Sequence, residues 1–379
     1  MAGEVRPAVS GERLTAVYVL QGDEARARAV ADAICVEQTV EFPRPLLPPG
    51  TIERDVVGRV EALEPHGEGA WRATIAFPVE DTGFELPQLL NVVWGNVSLF
   101  PGVRLAALSP SPSLYAGLPG PRFGRSGVRD RAGVEGRPLL CTALKPMGLD
   151  SRSLARYAGD FALGGIDLIK DDHGLANQPF APWRERVERC AAAVAEANAR
   201  TGRHSAYLPN VSAPHDELLA RAHTAKALGA GGLLVSPGLA GFDAMRALAA
   251  DGALGLPVMA HPAFLGGYLP TAAGGVAFDV LFGTIMRLAG ADAVIFPNHG
   301  GRFSFSREDC RAIADGTARP LGPLRPAFPV PGGGMSLERV PEMLAFYGRD
   351  VVLLIGGGLF AASPDVRAAS ERFLAAVTA

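Results

Sequence analysis

Lysine is almost missing from this chain. Of 36 basic residues among 379, only Lys145, Lys170 and Lys226 are lysines. Arginine serves wherever a generic positive charge suffices, so a retained lysine marks a place that wants a neutral amine, able to move a proton or take up a carbonyl group. Lys226, in the helical stretch LLARAHTAKALGAG, reads as a surface residue, whereas Lys145 and Lys170 each close an apolar run. Cysteine is scarce too. Four residues, at 35, 141, 190 and 310 with no CxxC pair, exclude a disulfide scaffold and point to a reducing, cytoplasmic setting. A net charge of -3 leaves no basic stripe for nucleic acid or an anionic membrane. The longest apolar stretch, VVLLIGGGLFAA over 351–362, is far short of a membrane span, and MAGEVRPAVSGERL lacks the apolar core of a signal peptide. There is no GxSxG elbow, no Gly-Lys-Ser/Thr phosphate loop, and no GxGxxG with a later acid, which weakens the serine-hydrolase, ATP and NAD readings. Three tryptophans form no stacking platform, and Trp94 and Trp183 are expected to pack.

What is present divides near residue 135. Over 1–135 the pattern is α+β: a strand TAVYVL, an amphipathic helix DEARARAVADAICVE, and an alternating pair, VVGRVEALEP and WRATIAFPVE, across a glycine turn. Residues 111–138, rich in Pro, Gly and Arg, read as a linker or a segment lying across another surface. From 139 onward, strand-like runs alternate with helical ones. The runs are LLCTALK, IDLIK, SAYLPN, GLLVS, LPVMAH, AVIFPN, AFPVPG and VVLLIGG, with helices such as 183–200 and 275–290 between them. Eight such units predict an α/β fold, a (β/α)8 TIM barrel over 136–379; a doubly wound open sheet is the alternative.

In such a barrel, chemistry sits at the carboxy-terminal ends of the strands. Lys145, Lys170, Asn210, His261 and Asn298 close predicted strands, with His299 one residue beyond. The densest cluster is Lys170-Asp171-Asp172-His173. Strand alternation sends Lys170 and Asp172 to one side, and His173 can reach inward as the strand ends. Carboxylate plus imidazole plus one more oxygen is a reasonable divalent site, Mg²⁺ favouring the oxygens and His173 widening the choice toward Mn²⁺ or Zn²⁺. The alternative is an ion-paired loop in which Lys170 neutralises the acids. PGGGM (331–335) and IGGGL (355–359) follow the seventh and eighth runs, where backbone N–H groups can cradle a phosphate. Tight turns alone are the other explanation. Cys141, inside a strand, reads as core rather than nucleophile.

These residues carry a resemblance. GGIDLIKDDHGLANQPFAPWRERV resembles the second-strand signature of the RuBisCO large-chain superfamily, TALKPMGLD its first-strand segment, VVWGNVSLF its amino-terminal GN segment, and PVPGGGM and LLIGGG its two late glycine turns. The resemblance implies a ferredoxin-like α+β amino-terminal domain, a carboxy-terminal barrel, and a homodimer with shared active sites. It implies that CO₂ converts Lys170 to a carbamate, which binds Mg²⁺ beside Asp172. His173 replaces a glutamate ligand, lowering the charge of the site and leaving room for another divalent cation. Lys145 resembles the first-strand lysine near the reacting carbons and His261 the histidine after the fifth strand. Glu37 and Asn96 resemble the two residues lent by the partner's amino-terminal domain. Gly333, Gly334, Gly356 and Gly357, with Arg302, fall at phosphate-binding positions.

The departures narrow the function. Met147 stands in a shortened KPMG where the family has a second lysine, Pro262 replaces a phosphate-binding arginine, Ile295 and Phe296 replace a polar pair, and Arg302 replaces a mobile lysine. Guanidinium holds charge but is a poor proton donor. CO₂ fixation is therefore not expected. The shared first half is: a metal-polarised ketone loses an α-proton to a base such as Lys145, giving an enediolate. An enolase or tautomerase, an isomerase, or a decarboxylase would all use it, on a sugar monophosphate with a small or apolar far end. A vestigial RuBisCO-like dimer with a structural or regulatory role is the non-enzymatic alternative.

Overall fold

The computed structural model describes residues 5–303 and 305–378; the first four residues of the amino-terminal stretch lie outside these. The chain divides into two compact units. The first comprises Met1–Pro119, Leu265–Ile285 and Pro320–Leu324; the second comprises Gly120–Phe264, Met286–Arg319 and Arg325–Ala379.

In the first unit, strands β1 (Arg13–Gln21), β2 (Arg59–Pro65), β3 (Ala70–Pro78) and β4 (Val103–Ser109) pair antiparallel in the order β4-β1-β3-β2. Helices Glu24–Glu37 and Leu86–Trp94 follow β1 and β3, completing a ferredoxin-like split β-α-β arrangement. The strand β1 is central, and its residues 16–20 are buried on both faces. Tyr18 is wholly buried, and its hydroxyl donates to Val93 O at 2.7 Å, tying the sheet to the second helix.

The second unit is built on β5 (Leu139–Leu144), β6 (Leu168–Asp171), β7 (Ala206–Leu208), β8 (Leu233–Val235) and β9 (Val258–Ala260). The next strand in the chain, β10 (Gly274–Val276), belongs to the first unit, where it pairs in parallel with β4. Strands β11 (Ala293–Pro297), β12 (Phe328–Gly332) and β13 (Val352–Ile355) complete a parallel order β7-β6-β5-β13-β12-β11-β9-β8 among the described residues. Past the short β7 the sheet closes on itself: Leu234 N–H donates to Pro209 O and Val211 N–H to Leu234 O, both at 2.9 Å. It is a closed barrel. Side chains of one parity, Leu139, Cys141, Leu168, Leu208, Leu234, Met259, Ala293, Ile295, Phe328, Val330 and Val352, fill its interior.

Two stretches differ from expectation. The helix placed over 275–290 begins instead as β10, then runs through a π-helical turn, Val280–Ile285, into Met286–Leu288. Gly274 and Gly275 hold φ of +142° and +124°, which a residue with a Cβ rarely adopts, and this admits the strand against the backbone of β4. The stretch 111–138 contains a helix, Gly124–Ala132, whose Val128 and Ala132 join the barrel core. It lacks a side-chain cap of its own. Asp292 caps it from elsewhere in the unit, accepting Phe123 N–H at 2.8 Å and Gly124 N–H at 2.7 Å, a tertiary signal that local pattern does not carry.

Candidate active site

Alternation along β5 and β6 builds the site. With Cys141 and Leu168 inside the barrel, period two puts Lys145, Lys170 and Asp172 in the same register at the carboxy-terminal mouth. Lys170 is 2% exposed, and its Nζ donates to Asp171 O at 3.1 Å. Burial pushes this amine below the usual lysine range, and the nearby charge of Lys145 adds to that against the pull of Asp172. Lys145 Nζ lies 2.9 Å from Asp172 Oδ1, and His173 Nδ1 lies 3.5 Å from the same oxygen. Burial alone would raise the Asp172 pKa. Hydrogen bonds from His173 and Lys145, with the charges of Lys145 and Lys170, win and hold it well below the usual carboxylate range.

His261, after β9, stacks on His173 with ring centroids 4.1 Å apart and planes 12° from parallel. Ala263 N–H donates to His261 Nδ1 at 3.1 Å, so the neutral ring carries its proton on Nε2. Burial, then the charge of Lys170 and the neighbouring His173, lowers the His261 pKa to about 2. The structure thus brings Lys145, Asp172, His173 and His261 together, with Lys170 buried beside them.

Asp171 has the opposite register and the opposite job. Its carboxylate is wholly buried. It accepts from Tyr207 Oη at 2.7 Å, Asn210 N–H at 3.0 Å, and Arg186 Nε and Nη2 at 3.3 and 3.2 Å. Arginine, not Lys170, neutralises this acid. Asn210 Nδ2 in turn donates to His173 O and Leu175 O, both at 3.0 Å, fixing the loop that carries the site. The sequence holds one clue to this support: Arg186 falls on the apolar face of its helix, between Trp183 and Cys190. Asn298 also faces outward, where its side chain meets Met343 and Tyr347.

The glycine turns after β12 and β13 lie together, since a Cβ on Gly358 would collide with the Met335 carbonyl. Added Cβ atoms at Gly333, Gly356 and Gly357 would meet nothing within 4 Å, so the backbone at these positions borders open space. Arg302 is exposed, with its guanidinium carbon 4.9 Å from the Phe303 ring centroid. In the first unit, Glu37 and Asn96 meet: Asn96 Nδ2 donates to Glu37 Oε1 at 2.9 Å. Gln38, which pattern reading passed over, ties the two segments by donating to Val92 O at 2.9 Å and accepting Val97 N–H at 2.8 Å. A cleft of about 840 Å³ opens at the other end of the barrel, lined by Arg137, Asp167, Arg203 and His204, far from the convergent lysines. Its size does not outweigh the clustering of acid, base and imidazole at the mouth.

The donor set fits a divalent cation under one condition. Among the described residues no three His, Cys, Asp or Glu side chains form a ready metal cluster. Asp172 and His173 supply two donors, and a carbamate on Lys170 would supply the missing oxygen. Burial that disfavours the ammonium form is what carbamate formation needs.

Residues 125–372 match the model for the ribulose bisphosphate carboxylase large chain, catalytic domain. The chain belongs to that family. Within it, a 5-methylthioribulose-1-phosphate isomerase of Rhodospirillum rubrum is 40% identical, covering 97% of this chain and 96% of the relative. A 2,3-diketo-5-methylthiopentyl-1-phosphate enolase of Geobacillus thermodenitrificans is 36% identical, over 80% of this chain and 74% of the relative. The crystal structure of a RuBisCO-like protein from Rhodopseudomonas palustris superposes with a TM-score of 0.87 at 38% identity, covering 97% of both chains. This RuBisCO-like chain shares its family's α/β barrel and separate amino-terminal sheet. Among the described residues no helix is long and apolar enough to cross a membrane.

Proposed function

We propose that the protein is a non-carboxylating enolising enzyme that isomerises a methylthio-ketopentose 1-phosphate through an enediolate. The observation that carries this reading is the convergence of Lys145 with Asp172, beside Lys170 and the stacked His173–His261 pair. The 40% identity to an isomerase over nearly the whole chain favours it over the enolase reading, whose relatives are 31–36% identical.

Lys170 as a carbamate, Asp172 and His173 would hold Mg²⁺ or a related divalent cation, which when bound supplies polarisation of the substrate carbonyl. Lys145 Nζ is the group that takes the α-proton and returns it at the neighbouring carbon, with Asp172 orienting it at 2.9 Å. His261, neutral, offers Nε2–H as a hydrogen-bond donor to a substrate oxygen. The glycine turns at 333–334 and 356–357 bind the phosphate through backbone N–H groups, with Arg302 adding charge. At the far end Ile295 is part of the barrel core and is 4% exposed. Met147 is half exposed and lies against Gly174. A second phosphate would lose its hydration there without a partner, whereas an apolar thioether would not. The functional unit is a homodimer in which the partner's Glu37–Asn96 pair completes the mouth.

The test is deuterium incorporation into 5-methylthioribulose-1-phosphate in D2O, followed by NMR alongside product formation. The expected result is exchange at the carbon beside the ketone, abolished by Lys145→Met. No exchange with wild-type protein supplied with bicarbonate and Mg²⁺ would overturn the reading in favour of a vestigial site.

A further inference from the structure

The turn after β11 and the glycine turn after β12 are packed backbone to backbone. A Cβ on Gly334, whose φ is +64°, would come within 3.1 Å of Gly300 O and 3.2 Å of Gly301 Cα. One on Gly301 would lie 3.4 Å from Gly333 O. Arg339, from the short turn Leu337–Arg339, lies across both. Its Nη1 donates to Gly334 O at 2.9 Å and its Nη2 to His299 O at 3.2 Å, while Nε donates to Glu342 Oε2 at 3.1 Å. Glu342 is itself fixed, accepting from Arg307 Nη1 at 2.9 Å. The planar guanidinium fork therefore spends two donors on two different loops and a third on its own anchor. Gly300, at φ +70°, leaves room for that plane, since a Cβ there would lie 3.2 Å from Nη2.

We propose that Arg339 is a positioning residue: it clasps the turn after β11 to the glycine turn after β12 and so sets how tightly the enzyme holds the phosphate end of its substrate. The inference rests on the assignment of phosphate to those glycine turns. Arg302 leaves the clasped turn two residues beyond Gly300, so loosening the clasp also frees the one cation proposed for that end of the site. Lysine cannot replace it, because a single ammonium does not present two coplanar N–H groups to two carbonyls.

Three variants test this: Arg339→Gln, Arg339→Lys and Glu342→Gln. Hydrogen exchange at amides 299–303 and 332–335 reads the clasp without any substrate. Binding of inorganic phosphate by calorimetry, and kcat and KM for 5-methylthioribulose-1-phosphate, read its consequence. Arg339→Gln is expected to speed exchange in both turns and weaken phosphate binding about tenfold, with KM rising by a similar factor and kcat nearly unchanged. Arg339→Lys should recover only part of the loss, and Glu342→Gln should fall between. Exchange unchanged in the turn after β11, or a fall in kcat at constant KM, would overturn the proposal. If wild-type protein binds no phosphate, the phosphate assignment fails and this inference with it; if it binds phosphate but does not turn over that substrate, only the choice of substrate fails.

Discussion

Removing the guanidinium of Arg186 should cost the barrel more than any change at its exposed ion pairs. Arg186 and Asp171 are both fully excluded from solvent, and the two hydrogen bonds between them are 3.2 and 3.3 Å long. In Arg186→Met, Asp171 keeps the Tyr207 hydroxyl and the Asn210 N–H but loses its counter-charge. An uncompensated buried carboxylate costs about 3–5 kcal/mol. For a unit of this size a kcal/mol moves Tm by roughly 2 °C, so the expected fall is about 6–10 °C. Tyr207→Phe, which removes one charge-assisted bond of 2.7 Å, should cost about 1.5–3 kcal/mol. The double variant Asp171→Leu with Arg186→Met buries no charge and should be more stable than Arg186→Met alone. Urea titration followed by circular dichroism, with calorimetry for Tm, ranks the four proteins. If Arg186→Met lies within about 1 kcal/mol of wild type, or the double variant is the weaker, the account of Asp171 as a charge-balanced anchor is wrong.

Lys145→Met should lower kcat/KM for the proposed exchange about 10²–10⁴-fold, with Tm little changed because the side chain is 40% exposed; a loss under fivefold would remove Lys145 as the proton carrier. Burial, reinforced by Glu80, raises the Asp81 pKa to about 7, and its Oδ2 has no hydrogen-bond partner. The folded state therefore holds this proton more tightly than the unfolded state, and stability from this group drains away as pH climbs from about 4 through about 7. Asp81→Asn should be more stable than wild type at pH 8 by about 1–2 kcal/mol after allowing for solvent screening, the gap shrinking toward pH 5; urea midpoints at the two pH values decide it. Native mass spectrometry in bicarbonate and Mg²⁺ should reveal a labile CO₂ adduct that Lys170→Met lacks. By calorimetry His173→Glu should tighten Mg²⁺ binding about tenfold, since it restores an anionic oxygen ligand.

Barrel and site were legible in the sequence to different depths. The eight apolar runs and the lysines ending two of them follow from period and composition, and Lys170 and Asp172 do share a register because alternation is strict in a strand. Partnerships across the barrel were not legible. Nothing local says that Asp171 pairs with Arg186, fifteen positions on, or that Asp292 caps the helix opened by Gly124. The helix expected over 275–290 failed for the same reason: its first residues are recruited by β4, and pairing with another element overrides local propensity. The clasp made by Arg339 was invisible because the two groups it bridges are main-chain carbonyls, which leave no trace in residue identity.

Consecutive residues of β6 divide their labour by parity, with consequences for how such a protein can change. Under the proposed function Lys170 and Asp172 face the reacting space, whereas the Asp171 carboxylate meets only Arg186, Tyr207 and Asn210. A lineage can therefore rewrite its chemistry at even positions here while the odd one keeps the barrel standing. A one-residue deletion in this strand would exchange the two roles at a stroke, turning the anchor toward substrate and the reagents into the wall.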